Sequence, residues 1–273
     1  MVLTSVSSSA DIRLGDCLDI LKTIPDGTVD VIIDDLPYGD VINSGNEDAE
    51  WDKQIPMDEL WKQFYRVSKP SAAIVLFAQG MFTAQLMMSN PKGWKYNLVW
   101  SKIRSSGFLN ANRQPLRGHE DICVFYRKQP TYNPQFSICS DAERTHSRGN
   151  LDKPIKNTCY GTRHEMATPI TNRKFPTSIL TFPKPPPSEV VHPTQKPVEL
   201  LRWLIRTYTN KGETVLDATM GSGSTGVAAM WEDRNFIGVE KTQKYFNVAQ
   251  QRIDEAAKSR DRDRTIPKQE SFL

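Results

Sequence analysis

Short apolar runs alternate with amphipathic stretches along this chain, and that alternation limits its fold more than any other feature. Residues 29–33 and 72–78 are apolar runs bounded by turn or polar residues, which is typical of strands buried on both faces. Residues 56–67, between them, carry apolar side chains at helical spacing. Because strands that alternate with helices join in parallel, we expect an α/β protein with a mostly parallel twisted sheet and helices on both faces.

The composition favours a globular protein of the cytoplasm. The chain has 273 residues, of which 38% are hydrophobic and 25% charged, values ordinary for such a protein. No apolar run approaches the ~18 residues that span a bilayer, and residues 1–10 lack the apolar core of a signal peptide. The cysteines form no CxxC pair, so neither a metal site nor a disulfide framework is expected. They are Cys17, Cys123, Cys139 and Cys159.

The first strand run ends in an unusual turn. Asp34 and Asp35 follow residues 29–33 directly, and a proline and a tyrosine, Pro37 and Tyr38, come after one further residue. In open α/β sheets, ligands bind beyond the carboxyl ends of the strands. The turn therefore predicts a site, although a four-residue pattern alone also fits a turn with a capping acid and a surface tyrosine.

A second stretch, near the other end of the chain, has the sequence of a strand, a glycine-rich turn and a helix. Asp217 ends the strand of residues 214–217, and Gly221 and Gly223 lie in the turn. Glycines let a backbone approach a ligand closely, and a helix N-terminus offers free N–H groups. Glu240 ends the next strand, seventeen residues after Gly223, about where an acid holds ribose hydroxyls. A dinucleotide-dependent oxidoreductase shares these features, so the nucleotide class stays open at this point.

The two stretches together resemble the β class of amino-group DNA methyltransferases. Residues 35–38 look like their catalytic motif, with Leu36 in place of the usual first proline. Residues 217–226 resemble their S-adenosylmethionine loop, and residues 192–197 the segment before it. Asp16 resembles the acid that contacts the adenine of the cofactor. The similarity covers residues 11–257, and the catalytic motif precedes the cofactor loop, as in the β class.

The resemblance implies a fold, a reaction and a cofactor. The fold is Rossmann-like with a circularly permuted motif order, and the reaction moves a methyl group from S-adenosylmethionine to N6 of a flipped-out adenine in duplex DNA. The catalytic residues that it implies are Asp35, Leu36, Pro37 and Tyr38. The cofactor-binding residues are Asp16, Cys17, Thr194, Lys196, Asp217, Met220, Gly221, Ser222, Gly223, Ser224, Thr225 and Glu240.

Three alternatives remain at this stage. N4-cytosine methylation uses similar acceptors, although the family usually has Ser, not Asp, at the first catalytic position for cytosine. A dinucleotide-dependent oxidoreductase leaves the turn at Asp35 unexplained. A DNA-binding module without activity is disfavoured by the intact Asp35 and Tyr38.

Basic residues cluster in two segments. Residues 101–118 contain four basic residues and no acid, and residues 129–190 contain eight against five acids, with nine of the eighteen prolines. Such segments are typical of surfaces that meet a polyanion, although a solvated irregular insertion has the same composition. The predicted DNA-binding residues are Lys102, Arg104, Arg113, Arg117, Arg144 and Arg148.

The predicted organisation has four parts. Residues 1–128 are the catalytic half of the methyltransferase domain, 129–190 an irregular target-recognition insertion, 191–257 the cofactor-binding half and 258–273 a charged tail. Double-stranded DNA is the expected partner. A homodimeric state and a cognate restriction endonuclease are further partners that the resemblance leaves open.

Overall fold

The structure, a computed structural model, describes residues 8–39, 52–138, 156–157, 161–162 and 173–265. The chain divides into two compact units. The main unit consists of Met1–Asn133 and Ser178–Leu273, and the second unit is Pro134–Thr177. Among the described residues, no helix combines the length and the apolar character that crossing a membrane requires.

The main unit is built on an eight-stranded sheet. Its strands are β1 (Ala10–Leu14), β2 (Val29–Asp34), β3 (Ser68–Ala78), β4 (Trp94–Ser106), β5 (Arg117–Phe125), β10 (Ile179–Phe182), β11 (Thr214–Asp217) and β12 (Asn235–Glu240). Their order in the sheet is β1-β12-β11-β2-β3-β5-β4-β10. All neighbouring strands pair in parallel except β5, which is antiparallel to both β3 and β4. The predicted α/β fold with a mostly parallel sheet is confirmed.

Helices cover both faces of this sheet. They are α1 (Cys17–Leu21), α2 (Met57–Val67), α3 (Met81–Ser89), α4 (Val198–Tyr208), α5 (Ser224–Trp231) and α6 (Gln243–Thr265). Alternate residues of β2 enter two different hydrophobic cores: Val31 and Ile33 belong to one and Ile32 to the other, as the two-residue period of a strand requires. Side chains of α1, α2 and α3 pack in the core that contains Ile32, and those of α4, α5 and α6 in the other.

The second unit contains two short antiparallel pairs. Strand β6 (Ser137–Ile138) pairs with β9 (Arg173–Lys174), and β7 (Lys156–Asn157) pairs with β8 (Gly161–Thr162). The second unit, Pro134–Thr177, is shorter than the predicted insertion, residues 129–190. One reason is that β10 lies within those residues but pairs with β4 in the main sheet.

Two further features concern the segments defined from the sequence. Strands β4 and β5 extend into the basic segment of residues 101–118, where Ser106 pairs with Arg117, so much of that segment is a hairpin. Helix α6 continues to Thr265, past the predicted domain end at residue 257. Its Arg260 is buried and donates to the Met230 carbonyl (3.4 Å), which ties this part of the helix to the unit.

Candidate active site

The predicted site residues from the two ends of the chain meet at one edge of the sheet. Strands β2, β11 and β12 lie side by side in parallel, so their carboxyl ends, Asp34, Asp217 and Glu240, share that edge. The end of β1 joins them, because Leu14 pairs with Glu240. This carboxyl edge is where open α/β sheets bind their ligands.

The Asp35 carboxylate accepts two hydrogen bonds from side chains. The Tyr38 hydroxyl donates to it at 2.8 Å, and the Lys196 ammonium donates to its other oxygen. Burial raises the pKa of Asp35, and the charge of Lys196 counteracts that effect. The Lys196 ammonium therefore stabilises a carboxylate that burial alone would tend to protonate.

The carbonyl groups of Asp35 and Leu36 differ in their hydrogen bonding. The Thr219 hydroxyl donates to the Asp35 carbonyl at 3.1 Å. The Leu36 side chain is buried in the core, but its carbonyl accepts no hydrogen bond from any residue that the structure describes. The Asp35 carboxylate is therefore followed along the chain by a carbonyl, that of Leu36, to which no described residue donates.

Tyr38 is held on a platform. Its ring stacks on Phe82 with the ring centroids 4.7 Å apart and the planes at 25°, and its backbone N–H donates to Asp52 (3.1 Å). Burial raises the pKa of the Tyr38 hydroxyl, so it stays protonated as a donor to Asp35. Only one face of the Tyr38 ring is covered by Phe82.

Lys196 belongs to a buried cluster of charges. Its ammonium lies 3.5 Å from a carboxylate oxygen of Glu120, whose other oxygen pairs with Lys102. Burial would raise the pKa of Glu120, but Lys196 and Lys102 lower it below its usual value. Burial opposes the charge of Lys196, yet Asp35 and Glu120 raise its pKa. These shifts favour the carboxylate form of Glu120 and the ammonium form of Lys196.

One sequence assignment needs correction here. The sequence places Lys102 among phosphate-binding residues, but its side chain is 2% exposed and paired with Glu120, so it is not available to a phosphate. The pairing of Ser101 with His119 brings Lys102 close to Glu120. Lys196, which the resemblance places with the cofactor, has its ammonium on Asp35, and its contact with the cofactor stays a prediction.

Glu240 lies among backbone donors. One of its carboxylate oxygens accepts the Gly221 N–H (3.0 Å) and the other the Thr242 N–H (2.7 Å). Burial raises the pKa of Glu240, and these N–H groups counteract that effect. Each carboxylate oxygen has a second lone pair, so Glu240 can still accept from a ligand hydroxyl.

The turn between β11 and α5 needs glycine at two positions. Gly221 and Gly223 have φ of 51° and 75°, in the left-handed region. A Cβ on Gly223 would also lie 2.8 Å from the Cβ of Ala249, so α5 packs on α6 only when this residue lacks a side chain. A Cβ on Gly221 would meet nothing closer than His192 at 3.7 Å, which leaves backbone accessible at the edge.

The other residues expected around the cofactor divide between the edge and the core. Asp16 caps α1 by accepting the Leu18 N–H at 3.0 Å. Asp217 is buried and accepts the Thr219 N–H at 3.2 Å, and burial and then Asp34 raise its pKa. The side chains that are buried are Cys17, Met220, Ser222, Ser224 and Thr225.

Several of these groups have structural partners. The Arg252 guanidinium donates to the Ser222 carbonyl (2.5 Å) and the Ser224 hydroxyl (3.3 Å). The Thr194 hydroxyl lies 3.1 Å from Nδ1 of His192. Burial raises the pKa of the Cys17 thiol to about 12, which keeps it protonated and unsuited to nucleophilic chemistry.

Asp34 is a further acid at this edge, which the motif comparison does not single out. Its carboxylate accepts the Ala218 N–H (3.0 Å) and the Thr219 hydroxyl, so it joins the turn at Asp35 to the turn of the cofactor loop. Burial raises its pKa to about 6. An acid within an otherwise apolar strand is the signal that points to it, since such a side chain must find partners.

The predicted DNA contacts lie partly on the β4–β5 hairpin. Arg104, Arg113 and Arg117 are exposed there, and the Arg117 guanidinium donates to the Gln79 side chain at 3.1 Å. Arg144 and Arg148 lie outside the described residues.

Known proteins resemble this chain in sequence. The type II methyltransferase M.HinfI of Haemophilus influenzae is 28% identical over 263 residues, which are 88% of this chain and 67% of that protein. The DNA adenine methyltransferase YhdJ of Escherichia coli strain K12 is 29% identical over 253 residues, 89% of this chain and 82% of that protein.

Solved structures share the fold. The M1.HpyAVI–SAM complex has a TM-score of 0.59 and 22% identity, covering 90% of this chain and 99% of that one. The cytosine-N4-specific PvuII DNA methyltransferase has a TM-score of 0.60 and 16% identity, covering 94% and 93%. The family model described as DNA methylase matches residues 29–251, which include both the Asp35 turn and the Glu240 strand end. The chain belongs to this DNA methylase family, as its motifs predict.

Proposed function

We propose that this enzyme transfers a methyl group from S-adenosylmethionine to the exocyclic N6 amine of an adenine extruded from duplex DNA. The observation that carries the proposal is the pair of adjacent acceptors at the carboxyl edge: the Asp35 carboxylate, and the Leu36 carbonyl that no described residue hydrogen-bonds. An amine with two hydrogens fits two such acceptors.

The chemistry of the amine explains why acceptors are needed. The N6 lone pair is delocalised into the purine ring, so it attacks only as the nitrogen becomes more tetrahedral and positive charge builds on it. Asp35 and the Leu36 carbonyl, hydrogen-bonded to the two amine hydrogens, stabilise that charge where it develops. Asp35 does not have to act as a strong base, because the alkylated amine is acidic and releases its proton afterwards.

Lys196 and Tyr38 prepare Asp35 for this role. Both donate to its carboxylate, which fixes its orientation and keeps it ionised in a buried setting. Phe82 supports one face of the Tyr38 ring, and we propose that an extruded base stacks on the opposite face. Pro37 restricts the backbone between the acceptor and the ring.

The cofactor end of the edge fits S-adenosylmethionine in its donor and acceptor chemistry. Glu240 keeps a lone pair on each oxygen for a ribose hydroxyl, and Asp16 is an acidic side chain at the end of the neighbouring strand. The left-handed Gly221 and Gly223 allow a ligand to approach the backbone. When bound, S-adenosylmethionine supplies an electrophilic methyl group on a sulfonium. We include Asp217 and Thr194 in the site on the resemblance alone.

Adenine is favoured over cytosine as the target. Asp35 stands where the family usually has Asp for adenine and Ser for cytosine, and the relative YhdJ is named an adenine methyltransferase. N4-cytosine methylation remains the second candidate, since the PvuII enzyme of similar fold is cytosine-N4-specific.

DNA is proposed to bind along the basic segments, in the cytoplasm. Arg104, Arg113 and Arg117 would neutralise phosphates, and residues 129–190, with Arg144 and Arg148, would read the target sequence. A homodimer and a cognate restriction endonuclease stay predictions, for which the type II name of M.HinfI is the only support.

One experiment tests the base and the reaction together. Purified protein is incubated with duplex DNA and S-adenosylmethionine, and the digested nucleosides are analysed by mass spectrometry. N6-methyladenine in the parent sample and its absence with Asp35→Ala support the proposal. N4-methylcytosine would establish the second candidate, and no methylated base would refute both.

A further inference from the structure

The hairpin between β4 and β5 carries two large apolar side chains at its tip. A short 3-10 turn, Phe108–Asn110, follows Gly107, whose φ is 87°. The Phe108 and Leu109 side chains are 81% and 97% exposed. Single exposed apolar residues are ordinary, but two consecutive ones at a hairpin tip form a feature that a binding partner would explain.

The surroundings of this tip favour a nucleic acid as the partner. Residues 101–118 contain no acid, and the exposed basic side chains Arg104 and Arg113 stand on either side of the tip in sequence. An apolar tip flanked by arginines matches the pattern by which proteins grip phosphates and insert an apolar side chain between base steps.

The hairpin rises from the same edge of the sheet as the proposed catalytic carboxylate. Strand β4 runs parallel to β2 and β3, because β5 is antiparallel to both β3 and β4. The carboxyl end of β4 therefore lies at the same edge of the sheet as Asp35, with β3 and β5 between β2 and β4. The base of the hairpin is also linked to Asp35 by charge, through Lys102, Glu120 and Lys196.

The base of the hairpin is held firmly. The Gln79 amide donates to the His119 carbonyl at 3.0 Å, and the Arg117 guanidinium donates to Gln79 at 3.1 Å. Because Gln79 directly follows β3, these bonds fix the start of β5 to the strand next to the Asp35 turn. The base of the hairpin thus has a defined position relative to the site.

We propose that Phe108 and Leu109 enter the duplex beside the target base and occupy the space that the base leaves when it is extruded. The inference rests on the proposed function and adds a step to it. Extruding a base costs stacking and pairing free energy, and an apolar side chain against the neighbouring base pair offsets part of that cost. The two side chains promote extrusion and do not touch the reacting atoms.

The test compares two DNA duplexes. The methylated sequence is first identified by single-molecule sequencing of DNA from cells that express the protein. One duplex then carries this site fully paired, and the other carries an abasic position opposite the target base, so that pairing is already lost. Initial rates are measured on both for the parent and for the double variant Phe108→Ala, Leu109→Ala.

We expect the double variant to lose about tenfold or more in kcat/KM on the paired duplex and less than about threefold on the abasic duplex. Met88→Ala is the matched control, because Met88 is 73% exposed but lies at the far end of α3, away from this edge. It should leave both rates unchanged. Phe108→Trp should keep activity on the paired duplex, and the fluorescence of the introduced indole should change on binding.

Other outcomes overturn the inference. Equal losses on both duplexes would assign the tip to general DNA affinity or to folding, and no loss on either would show that it does not enter DNA. The fluorescence of the Phe108→Trp variant could also respond to DNA no more than that of the parent. That result, too, would show that the tip does not enter DNA. A parent protein without activity on either duplex would refute the proposed function and this step with it.

Discussion

Two carboxylates stand at the same edge of the sheet, and the structure holds them in opposite ways. Asp35 is bonded to side chains: a hydroxyl and an ammonium, the latter from a residue 161 positions away. Glu240 is bonded to backbone N–H groups of the two turns beside it, at Gly221 and Thr242. Both kinds of donor favour the ionised carboxylate, but only Asp35 has a full positive charge beside it, which comes from a distant segment of the chain, whereas the donors to Glu240 are neutral and belong to the turns next to it.

The difference suggests a division of labour. A carboxylate whose charge is tuned suits the stabilisation of charge in a transition state. A carboxylate fixed by turns suits the binding of neutral hydroxyls, which are the same before and after the reaction. The two sites should therefore respond differently to substitution, one in the rate of the chemical step and the other in cofactor affinity.

Asp35→Ala should have the largest effect. It removes an acceptor that acts mainly in the transition state, so we expect the methyl-transfer rate to fall by about 10²–10³ or more, with the affinity for S-adenosylmethionine nearly unchanged. Single-turnover rates and calorimetry measure the two quantities. A rate within about tenfold of the parent would show that Asp35 is not the principal acceptor.

Glu240→Ala should act in the opposite way. Loss of a charge-assisted hydrogen bond of ~1.5–3 kcal/mol should weaken cofactor binding by about 10- to 100-fold, with a smaller change in the saturated rate. Calorimetry with S-adenosylmethionine checks this, and Glu240→Gln, which keeps an acceptor oxygen, is the matched control. Unchanged affinity in the Ala variant would show that Glu240 bonds only to the two backbone N–H groups and does not bind the cofactor.

Lys196→Gln should lower the rate at neutral pH by about tenfold and change its pH dependence. Asp35 must be ionised to accept, so the rate falls as the pH drops through its pKa. Burial raises that pKa and Lys196 lowers it, so removal of the lysine should shift the acidic limb of the kcat profile to higher pH. Lys184→Gln is the control, because the charges of Lys102, Glu120 and Lys196 also act on Lys184, but Lys184 does not pair with Asp35. An unshifted limb would contradict the tuning role.

Arg113→Ala should have the smallest effect, on DNA binding alone. Loss of one phosphate contact should reduce the slope of log Kd against log salt by about one unit, with cofactor affinity unchanged. Lys92→Ala is the control, because Lys92 is exposed just before β4, at the opposite edge. Binding isotherms at several salt concentrations make the measurement. Equal slopes for all three proteins would remove Arg113 from the DNA surface.

Much of the fold and of the edge followed from local sequence. Apolar runs that stop at acids mark the ends of β2, β11 and β12, so the sequence alone predicts Asp35, Asp217 and Glu240 at strand ends. The match of α2 to helical spacing is equally local. These features depend on neighbours in the sequence, which is why the pattern predicts them.

The charge cluster could not be predicted in the same way. The residues around Lys102 have the composition of an exposed loop. Only the register of β4 against β5 brings Glu120 close enough to Lys102 to form the buried ion pair. The partners of Asp34, Ala218 and Thr219, lie 184 and 185 residues away. Strand β10 has four residues in a proline-rich stretch, too few for a pattern to stand out.

The strand order has a consequence for how the protein folds as it is made. Strands β1 and β2, among the first segments synthesised, take β12 and β11 as neighbours, and those are the last strands to appear. Contacts of such long sequence separation slow folding, because loop-closure entropy must be overcome before they form. Among the described strands, β1 pairs only with β12, so it has no partner in the sheet until β12 has been synthesised. Until then, its backbone donors and acceptors are exposed to pairing with other chains, which is the hazard of any unpaired strand edge.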